Sequence, residues 1–258
     1  MKRLMFLNRI IRDCFFCTLM LLAVSFVAAD CFQNCYALTE DVQTESGLIS
    51  EASLCLRKKD YTQADKLLKS AWEINPQNAE VCLLWGKLYR EQGRKKKAEK
   101  LFKRAIELKP ENESAYLELG MLYRQQGALE EARKCCEKAL ALNPKSESAV
   151  AELENVFVEE YKKTLISTPK DQATAIKLGS VYVRQGKFTD AEGMFSYVIR
   201  LNAKNDEAFS ELGWLAIKRK NVVKAKEFFS QALIINPRNE SAIKGIAQIP
   251  QPKKSASA

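Results

Sequence analysis

The side chains that most often carry enzyme chemistry are sparse in this sequence of 258 residues, which contains no histidine. The Ser-His-Asp and Cys-His nucleophile arrangements, histidine metal sites and imidazole acid–base catalysis are therefore excluded. The segment Gly186-Lys187-Phe188 lacks the glycine spacing and the following Ser or Thr of a phosphate-binding loop. Carboxylate or cysteine chemistry remains, and no spacing in the chain favours either.

The eight cysteines offer thiol chemistry, but their positions favour packing. Cys31 and Cys35 are candidates for a disulfide near the N-terminus. After residue 29 there is no Cys-x-x-Cys pair, which argues against a redox enzyme or a zinc site. Cys135 and Cys136 are neighbours on a predicted helix and are poorly placed to bridge each other. We therefore expect no catalytic residue, no metal site and no cofactor.

The N-terminal segment combines four cations within residues 1–12 with sixteen uncharged residues from Cys14 to Ala29. This run is shorter than the roughly 20 residues of a membrane-spanning helix, and it ends in small side chains. We expect residues 1–29 to be a secretory signal, cleaved after Ala29, which would make the protein secreted or periplasmic. The alternatives are a retained membrane anchor and a cytoplasmic protein with an apolar N-terminus.

The rest of the chain repeats itself with a period of 34 residues, the signature of a repeat architecture. Gly86 and Gly120 are one period apart, and the same spacing joins further pairs. These are Tyr89 and Tyr123, Gly93 and Gly127, Ala98 and Ala132, Ala105 and Ala139, and Pro110 and Pro144. A second run pairs Gly179 with Gly213, Ala191 with Ala225, and Phe195 with Phe229.

These residues match the Leu-Gly-x-x-Tyr, Ala-x-x-x-Phe and Pro pattern of tetratricopeptide repeats, so the chain resembles that family. The resemblance implies an all-α, right-handed solenoid of antiparallel helix pairs. Five segments are assigned as full repeats: 45–78, 79–112, 113–146, 172–205 and 206–239. The remaining segments are expected to be a lead-in at 30–44, a capping helix at 240–248 and a disordered tail at 249–258.

The residues of the pattern have structural roles in helix packing and helix capping that support this assignment. Gly86 in the first helix and Ala98 in the second let the two helices approach closely, and Phe102 lies on the same face as Ala98. Asn-Pro junctions such as Asn75-Pro76 end the second helix. Seven side chains at one phase of the period can cap a new helix: Thr44, Asn78, Asn112, Ser146, Asp171, Asn205 and Asn239.

The period breaks once, where the 25 residues 147–171 replace a full repeat. Apolar side chains from Val150 to Leu165 form one helical stripe without Gly or Pro, which predicts an unbroken helix from about Glu147 to Ile166 in a truncated central repeat. An odd helix would reverse the direction of the first helices that follow and split the inner groove in two. The alternative is a short, distorted hairpin that leaves the superhelix continuous.

By family resemblance, the first helix of each repeat lines the inner wall, which is the default binding surface. Its inward positions alternate apolar and cationic side chains, which favours a protein or peptide partner with apolar and acidic residues. For Leu83, Leu117 and Ile176, packing between repeats is the alternative. The candidate groove residues are Leu83, Lys87, Arg90, Leu117, Met121, Arg124, Gln125, Ile176, Ser180, Val183, Arg184, Trp214, Ile217 and Lys218.

Lys and Arg outnumber Asp and Glu by 41 to 32, giving a net charge of +9, which suits an anionic partner without identifying one. The densest cations lie on the turn and outer helix of the second repeat and are expected to form a solvated face, with anionic lipid or polymer contact as the alternative. Without a recognised nucleic-acid module or an aromatic stacking platform, nucleic acid is disfavoured. These cations are Arg94, Lys95, Lys96, Lys97, Lys100, Lys103 and Arg104.

Three classes of function follow from these features. We favour a non-enzymatic interaction scaffold exported to the cell envelope, which binds a protein segment in its groove and supports complex assembly. The second class is a membrane-anchored adaptor, in which an uncleaved segment 1–29 contacts the membrane. An enzyme that uses carboxylates or cysteine is the least favoured, and the sequence does not indicate an oligomeric state.

Overall fold

The computed structural model describes residues 44–249. The expected signal or anchor, the candidate disulfide between Cys31 and Cys35, residues 30–43 of the lead-in and residues 250–258 of the tail lie outside the described residues. The described chain is all-α: α1 (Glu45–Arg57), α2 (Tyr61–Ile74), α3 (Ala79–Glu91), α4 (Lys95–Leu108), α5 (Glu113–Gln126), α6 (Leu129–Leu142), α7 (Glu147–Ser167), α8 (Gln172–Arg184), α9 (Phe188–Leu201), α10 (Asp206–Lys218), α11 (Val222–Ile235) and α12 (Glu240–Gln248). Between residues 44 and 249, no helix combines the length and apolarity needed to span a membrane.

The chain divides into two compact units at Pro110. In the first unit, α1 packs on α2 and α3 packs on α4, and α3 also contacts both α1 and α2. In the second unit, three hairpins pair α5 with α6, α8 with α9 and α10 with α11. The helix α7 contacts α5, α6 and α8, and α12 packs on α10 and α11. These contacts confirm the expected solenoid of stacked helical hairpins.

The small residues of the pattern stand where two helices of a hairpin approach each other. A Cβ atom placed on Gly86 of α3 would lie only 2.5 Å from Cε1 of the buried Phe102 on α4. The equivalent glycine of α5, Gly120, faces the smaller Cys136, where a Cβ would lie 3.1 Å from Sγ. Because protein interiors are close-packed, the aromatic ring occupies the volume that a larger first-helix side chain would need.

The seven expected caps are confirmed, since each side chain accepts a hydrogen bond from a backbone N–H in the first turn of the following helix. The turns inside the hairpins need a left-handed residue, and Gly93, Gly127 and Gly186 supply it. In the first and last hairpins the same conformation is held by Lys59 and Lys220, with φ of 61° and 59°. These two lysines adopt a conformation that glycine adopts at lower cost.

Side-chain hydrogen bonds join the starts of consecutive repeats, a feature that the sequence analysis missed. We call each set a repeat bridge: the first residue of a repeat contacts side chains 30 and 33 residues later. Asp206 accepts hydrogen bonds of 2.8 Å from both Asn236 and Asn239. Burial raises the pKa of Asp206, but these hydrogen bonds outweigh it and leave the pKa lowered. The other repeat bridges are Glu45 with Asn75 and Asn78, Glu113 with Asn143 and Ser146, and Gln172 with Asn202 and Asn205.

The segment that breaks the period is one uninterrupted helix, α7, from Glu147 to Ser167. Val156 lies in a core cluster with Ala132 and Cys136 of α6, whereas Val158 belongs to the core around α8 and α9. Phe157 stacks on Tyr161 with ring centroids 5.9 Å apart. The helix α7 therefore packs against both the α5–α6 hairpin and the α8–α9 hairpin.

Candidate functional site

In the second unit the first helices and α7 are linked by successive contacts, α5 with α7, α7 with α8, α8 with α10 and α10 with α12, and we call these five helices the layer. The sequence analysis placed the candidate groove on the first helices. The structure gives the candidate residues three different environments: buried, ion-paired and partly exposed.

Two of the predicted groove residues are core residues. Leu83 on α3 is 7% exposed and Ile176 on α8 is 6% exposed. Ile176 belongs to the hydrophobic core cluster around α8 and α9. The alternative given for these residues, packing between repeats, therefore describes them better than partner binding does. Leu117, for which the same alternative was weighed, is half-buried.

Arg124, predicted to meet acidic residues of a partner, already holds two carboxylates of its own chain. Its Nε lies 2.6 Å from Glu152 Oε1, and its Nη1 lies 2.7 Å from Glu159 Oε1. Glu152 is 5% exposed, and Asn155 also donates to it. The hydrogen bond to Glu152 raises the pKa of Arg124, against burial, which lowers it. The sequence analysis missed these partners because both carboxylates lie on α7, where the repeat pattern breaks.

The other predicted cations differ in their surroundings. Arg90 on α3 is half-buried and pairs with the adjacent Glu91 at 2.8 Å, and Lys87 is half-buried. Arg184 at the end of α8 pairs with Glu154 of α7 at 2.6 Å. Lys218 at the end of α10 is exposed. Three of the predicted groove cations, Arg90, Arg124 and Arg184, are therefore paired with carboxylates of the same chain.

Trp214 links the last full repeat to the capping helix. Its Nε1 donates a 2.8 Å hydrogen bond to Ser241 Oγ of α12, and its ring meets the edge of Phe229 at 5.3 Å between centroids. The expected capping helix is α12, which packs on α10 and α11.

The predicted groove residue Ser180 forms a hydrogen bond within its own helix, since its Oγ donates to the carbonyl of Ile176 at 3.1 Å.

Three of the remaining candidate residues of the layer are apolar and half-buried. Met121 on α5, Val183 on α8 and Ile217 on α10 are half-buried at positions predicted to line the groove, and Gln125 is exposed at the end of α5. Burial raises the pKa of the carboxyl of Glu211, also on α10, and Glu207 raises it further. These side chains can supply contact area to a polypeptide, with hydrogen bonding at the helix ends.

A cavity of about 290 Å³ lies beside the turn between α10 and α11. Its apolar wall includes Leu212, Leu215 and Phe228, and its polar rim includes Arg219 and Lys224. Arg219 forms an ion pair with Glu192 of α9 at this rim. Sequence analysis did not find this cavity, because its lining comes from three helices whose turn residues follow no motif.

The cysteines of the described region are packing residues. Cys82 and Cys136 are fully buried, and burial raises the pKa of the Cys136 thiol to about 12 and that of Cys82 in the same direction. Cys55 and Cys135 are half-buried, and none of these four forms a disulfide. Among residues 44–249, no group of three or more Cys, Asp or Glu side chains is placed to hold a metal ion.

Sequence profiles described as tetratricopeptide repeat match residues 83–147 and 176–240, and a further one matches residues 56–106. Together they cover more than half of the chain and coincide with the helical hairpins. The chain belongs to the tetratricopeptide repeat family. Proteins of this family are generally interaction modules, and the fold supports a protein–protein interaction scaffold. No curated protein sequence is significantly similar to this tetratricopeptide repeat protein.

Solved structures of similar fold include several tetratricopeptide repeat proteins. Pseudomonas aeruginosa pilF is 16% identical, with 81% of this chain and 99% of that chain covered and a TM-score of 0.45. PilW, described as a widely conserved type IV pilus biogenesis factor, is 19% identical, with 79% and 99% covered and a TM-score of 0.45. YrrB, described as a tetratricopeptide repeat protein with an unusual peptide-binding site, is 21% identical, with 70% and 97% covered and a TM-score of 0.38.

Proposed function

We propose that this tetratricopeptide repeat protein is a non-enzymatic scaffold, exported to the cell envelope, that binds a polypeptide segment on the layer of α5, α7, α8, α10 and α12 and supports assembly of a complex. One observation carries this proposal: three helices of the layer keep an apolar side chain only half-buried, namely Met121, Val183 and Ile217. A partner that covers these side chains gains apolar contact without disturbing the hairpin cores.

The ion pairs within the layer indicate which side chains of the partner would make the main contacts. Because Arg124 and Arg184 are neutralised by carboxylates of α7, they offer little net charge to a ligand. We therefore propose that apolar side chains of the partner make the main contacts. An acidic residue of the partner would meet the exposed Lys218 at the end of α10.

Photo-crosslinking from single positions tests the binding layer. A photoreactive residue at Met121 or Ile217 is expected to capture the same partner polypeptide in the native host, identified by mass spectrometry. The exposed outer-helix positions Lys138 on α6 and Gln231 on α11 serve as matched controls. Equal capture from the controls, or no capture from Met121 and Ile217, contradicts the proposal.

Export is proposed from residues 1–29, which carry the cationic and uncharged runs of a secretory signal. N-terminal sequencing of the protein from its host is expected to find Asp30 as the first residue. An intact Met1 in a membrane fraction supports the alternative, a membrane-anchored adaptor. An intact Met1 in the cytosol contradicts both.

A further inference from the structure

The outer side of α4 concentrates the positive charge of the protein. Between Arg94 and Lys109 there are eight Lys and Arg residues and only two carboxylates, a net charge of +6 in a chain of net charge +9. We call these eight side chains the basic face. They are Arg94, Lys95, Lys96, Lys97, Lys100, Lys103, Arg104 and Lys109.

The positive charge at the start of α4 opposes local helix stability. The N-cap residue Arg94 makes no side-chain capping hydrogen bond, and the first turn of α4 contains three lysines and no acidic residue. Cations at a helix N-terminus oppose the helix dipole, which favours anions there. The equivalent helix one period later, α6, has Glu130 and Glu131 in its first turn. A helix whose first turn carries charge of the sign that its dipole disfavours points to a functional reason for that charge.

Within the basic face, intrahelical pairs neutralise only part of the charge. Lys103 pairs with Glu99 at 2.8 Å, and Arg104 pairs with Glu107 at 3.1 Å. Lys96 and Lys100 are exposed. At the turn, Arg94 and Lys97 lie 5.6 Å and 5.3 Å from the centroid of the Tyr89 ring. The result is a strongly cationic helix surface with its charge spread over four turns.

The composition of the basic face indicates the kind of partner. Six of its eight cations are lysines, a residue type depleted in protein–protein interfaces. Phe102 of α4 is fully buried, and every exposed side chain of this helix is charged. Clusters of four to eight Lys and Arg residues on an amphipathic helix are typical of contact with anionic lipid headgroups.

The position of α4 in the chain is compatible with this partner in both forms of the N-terminus. In the alternative in which residues 1–29 are retained as a membrane anchor, the 14 residues 30–43 can span at most about 45–50 Å between that anchor and α1. The basic face lies in the second repeat after this segment. The anchor and the basic face would then be two membrane contacts in one chain, which attach it more stably than either contact alone.

We propose that the basic face of α4 binds the headgroups of an anionic membrane, so that the first repeats lie on the bilayer surface. This inference goes beyond the proposed partner-binding layer and does not depend on it. Binding is electrostatic, and it therefore weakens as ionic strength rises.

The test uses the full chain with vesicles of phosphatidylcholine, alone or with about one-third phosphatidylglycerol. Acetylation of Lys96 and Lys100 by an amine-reactive reagent, followed by mass spectrometry, is expected to slow several-fold on the anionic vesicles only. Lys134 and Lys138 of α6 are the internal controls and are expected to react at unchanged rates. This readout holds whether or not residues 1–29 insert into the vesicles, because it compares lysines within one molecule.

A charge-reversal pair completes the experiment. Lys96→Glu with Lys100→Glu is expected to weaken binding to anionic vesicles by about tenfold or more, since each cation near an anionic surface contributes to attachment. Lys134→Glu with Lys138→Glu makes the same change of charge on α6 and is expected to leave binding nearly unchanged. Circular dichroism checks that both variants stay helical.

Three outcomes overturn the proposal. The first is equal acetylation of Lys96 and Lys100 on neutral and anionic vesicles. The second is an equal loss of vesicle binding in the α4 and α6 variants, which would show a general charge effect. The third is binding of polyglutamate, but not of anionic vesicles, by the basic face, which would point to an acidic protein partner instead.

Discussion

The hairpins α3–α4 and α5–α6 are one period apart and differ in a systematic way. Small residues in their cores correspond: Ala98 and Ala132, like Ala105 and Ala139, are fully buried. Their outward residues do not, since α4 carries six cations and two carboxylates whereas α6 carries three of each. Packing constrains the core-facing positions of the period. Differences between repeats at the solvent-facing positions can therefore reflect different functions.

The largest expected effect concerns Cys136, which occupies the position of Phe102. Because burial raises the pKa of its thiol to about 12, alkylation at pH 8 should be about 1000-fold slower in the folded protein than in urea. The raised pKa stabilises the fold below the unfolded thiol pKa, near 8.5, and this contribution is lost as pH rises towards 12. Mass spectrometry after timed alkylation measures the rate, and comparable rates in both states would show that Cys136 is not a packing residue.

Removing Arg124 should cost more stability than removing its equivalent, Arg90. Arg124→Met leaves Glu152 buried without its cation and should lower the free energy of unfolding by about 3 kcal/mol. Arg90→Met removes the cation beside Glu91, whose side chain is 47% exposed and stays hydrated, and should cost less than Arg124→Met. Urea denaturation measures both, and Glu152→Met should restore stability to the Arg124→Met variant. Equal losses for the two arginines would contradict this comparison.

Alanine substitutions at the helix-contact glycines Gly86 and Gly120 should differ in their effect on stability. Gly86→Ala forces a methyl group against the Phe102 ring and should cost about 2 kcal/mol. Gly120→Ala places its methyl group 3.1 Å from Cys136 Sγ and 3.3 Å from the backbone oxygen of Ala132, contacts milder than that at Gly86, and the gain in helix propensity should offset most of the strain. Thermal unfolding distinguishes them, and Phe102→Cys is the matched rescue for Gly86→Ala. A Gly120→Ala variant less stable than Gly86→Ala would refute the close-packing explanation.

The smallest effect exchanges charges at the equivalent positions Lys96 and Glu130. Lys96→Glu should stabilise the protein by about 0.5 kcal/mol, because an anion in the first turn of α4 favours the helix dipole. Glu130→Lys should destabilise α6 by a similar amount and also removes the pairs with Arg133 and Lys134. Thermal melts at low and high salt measure both changes, which should shrink at high salt. If Lys96→Glu destabilises the protein, the basic face has a structural role.

Sequence alone predicted the repeats, their caps and the α7 helix, because these depend on local spacing and on side-chain type. Gly86 and Phe102 could be paired across a hairpin from the period itself. The partners of Arg124 could not, since Glu152 and Glu159 lie in the segment without the period. The burial of Leu83 and Ile176 was left open, because an inward position of the groove and a core position share the same apolar residue type.

The repeat bridges restrict how this kind of chain can change its length. Each joins residues 30 and 33 apart, as Asp206 joins Asn236 and Asn239, so the contact survives only when whole copies are gained or lost. Excision of residues 172–205 would set Asp171, a helix cap, directly before Asp206 with its asparagines still in register. A cut of any other size inside a bridged repeat would change the separations of 30 and 33 residues, whereas the shortened segment 147–171 lies between the bridges of Glu113 and Gln172. The hydrogen bonds therefore favour the gain or loss of whole repeats on either side of that segment.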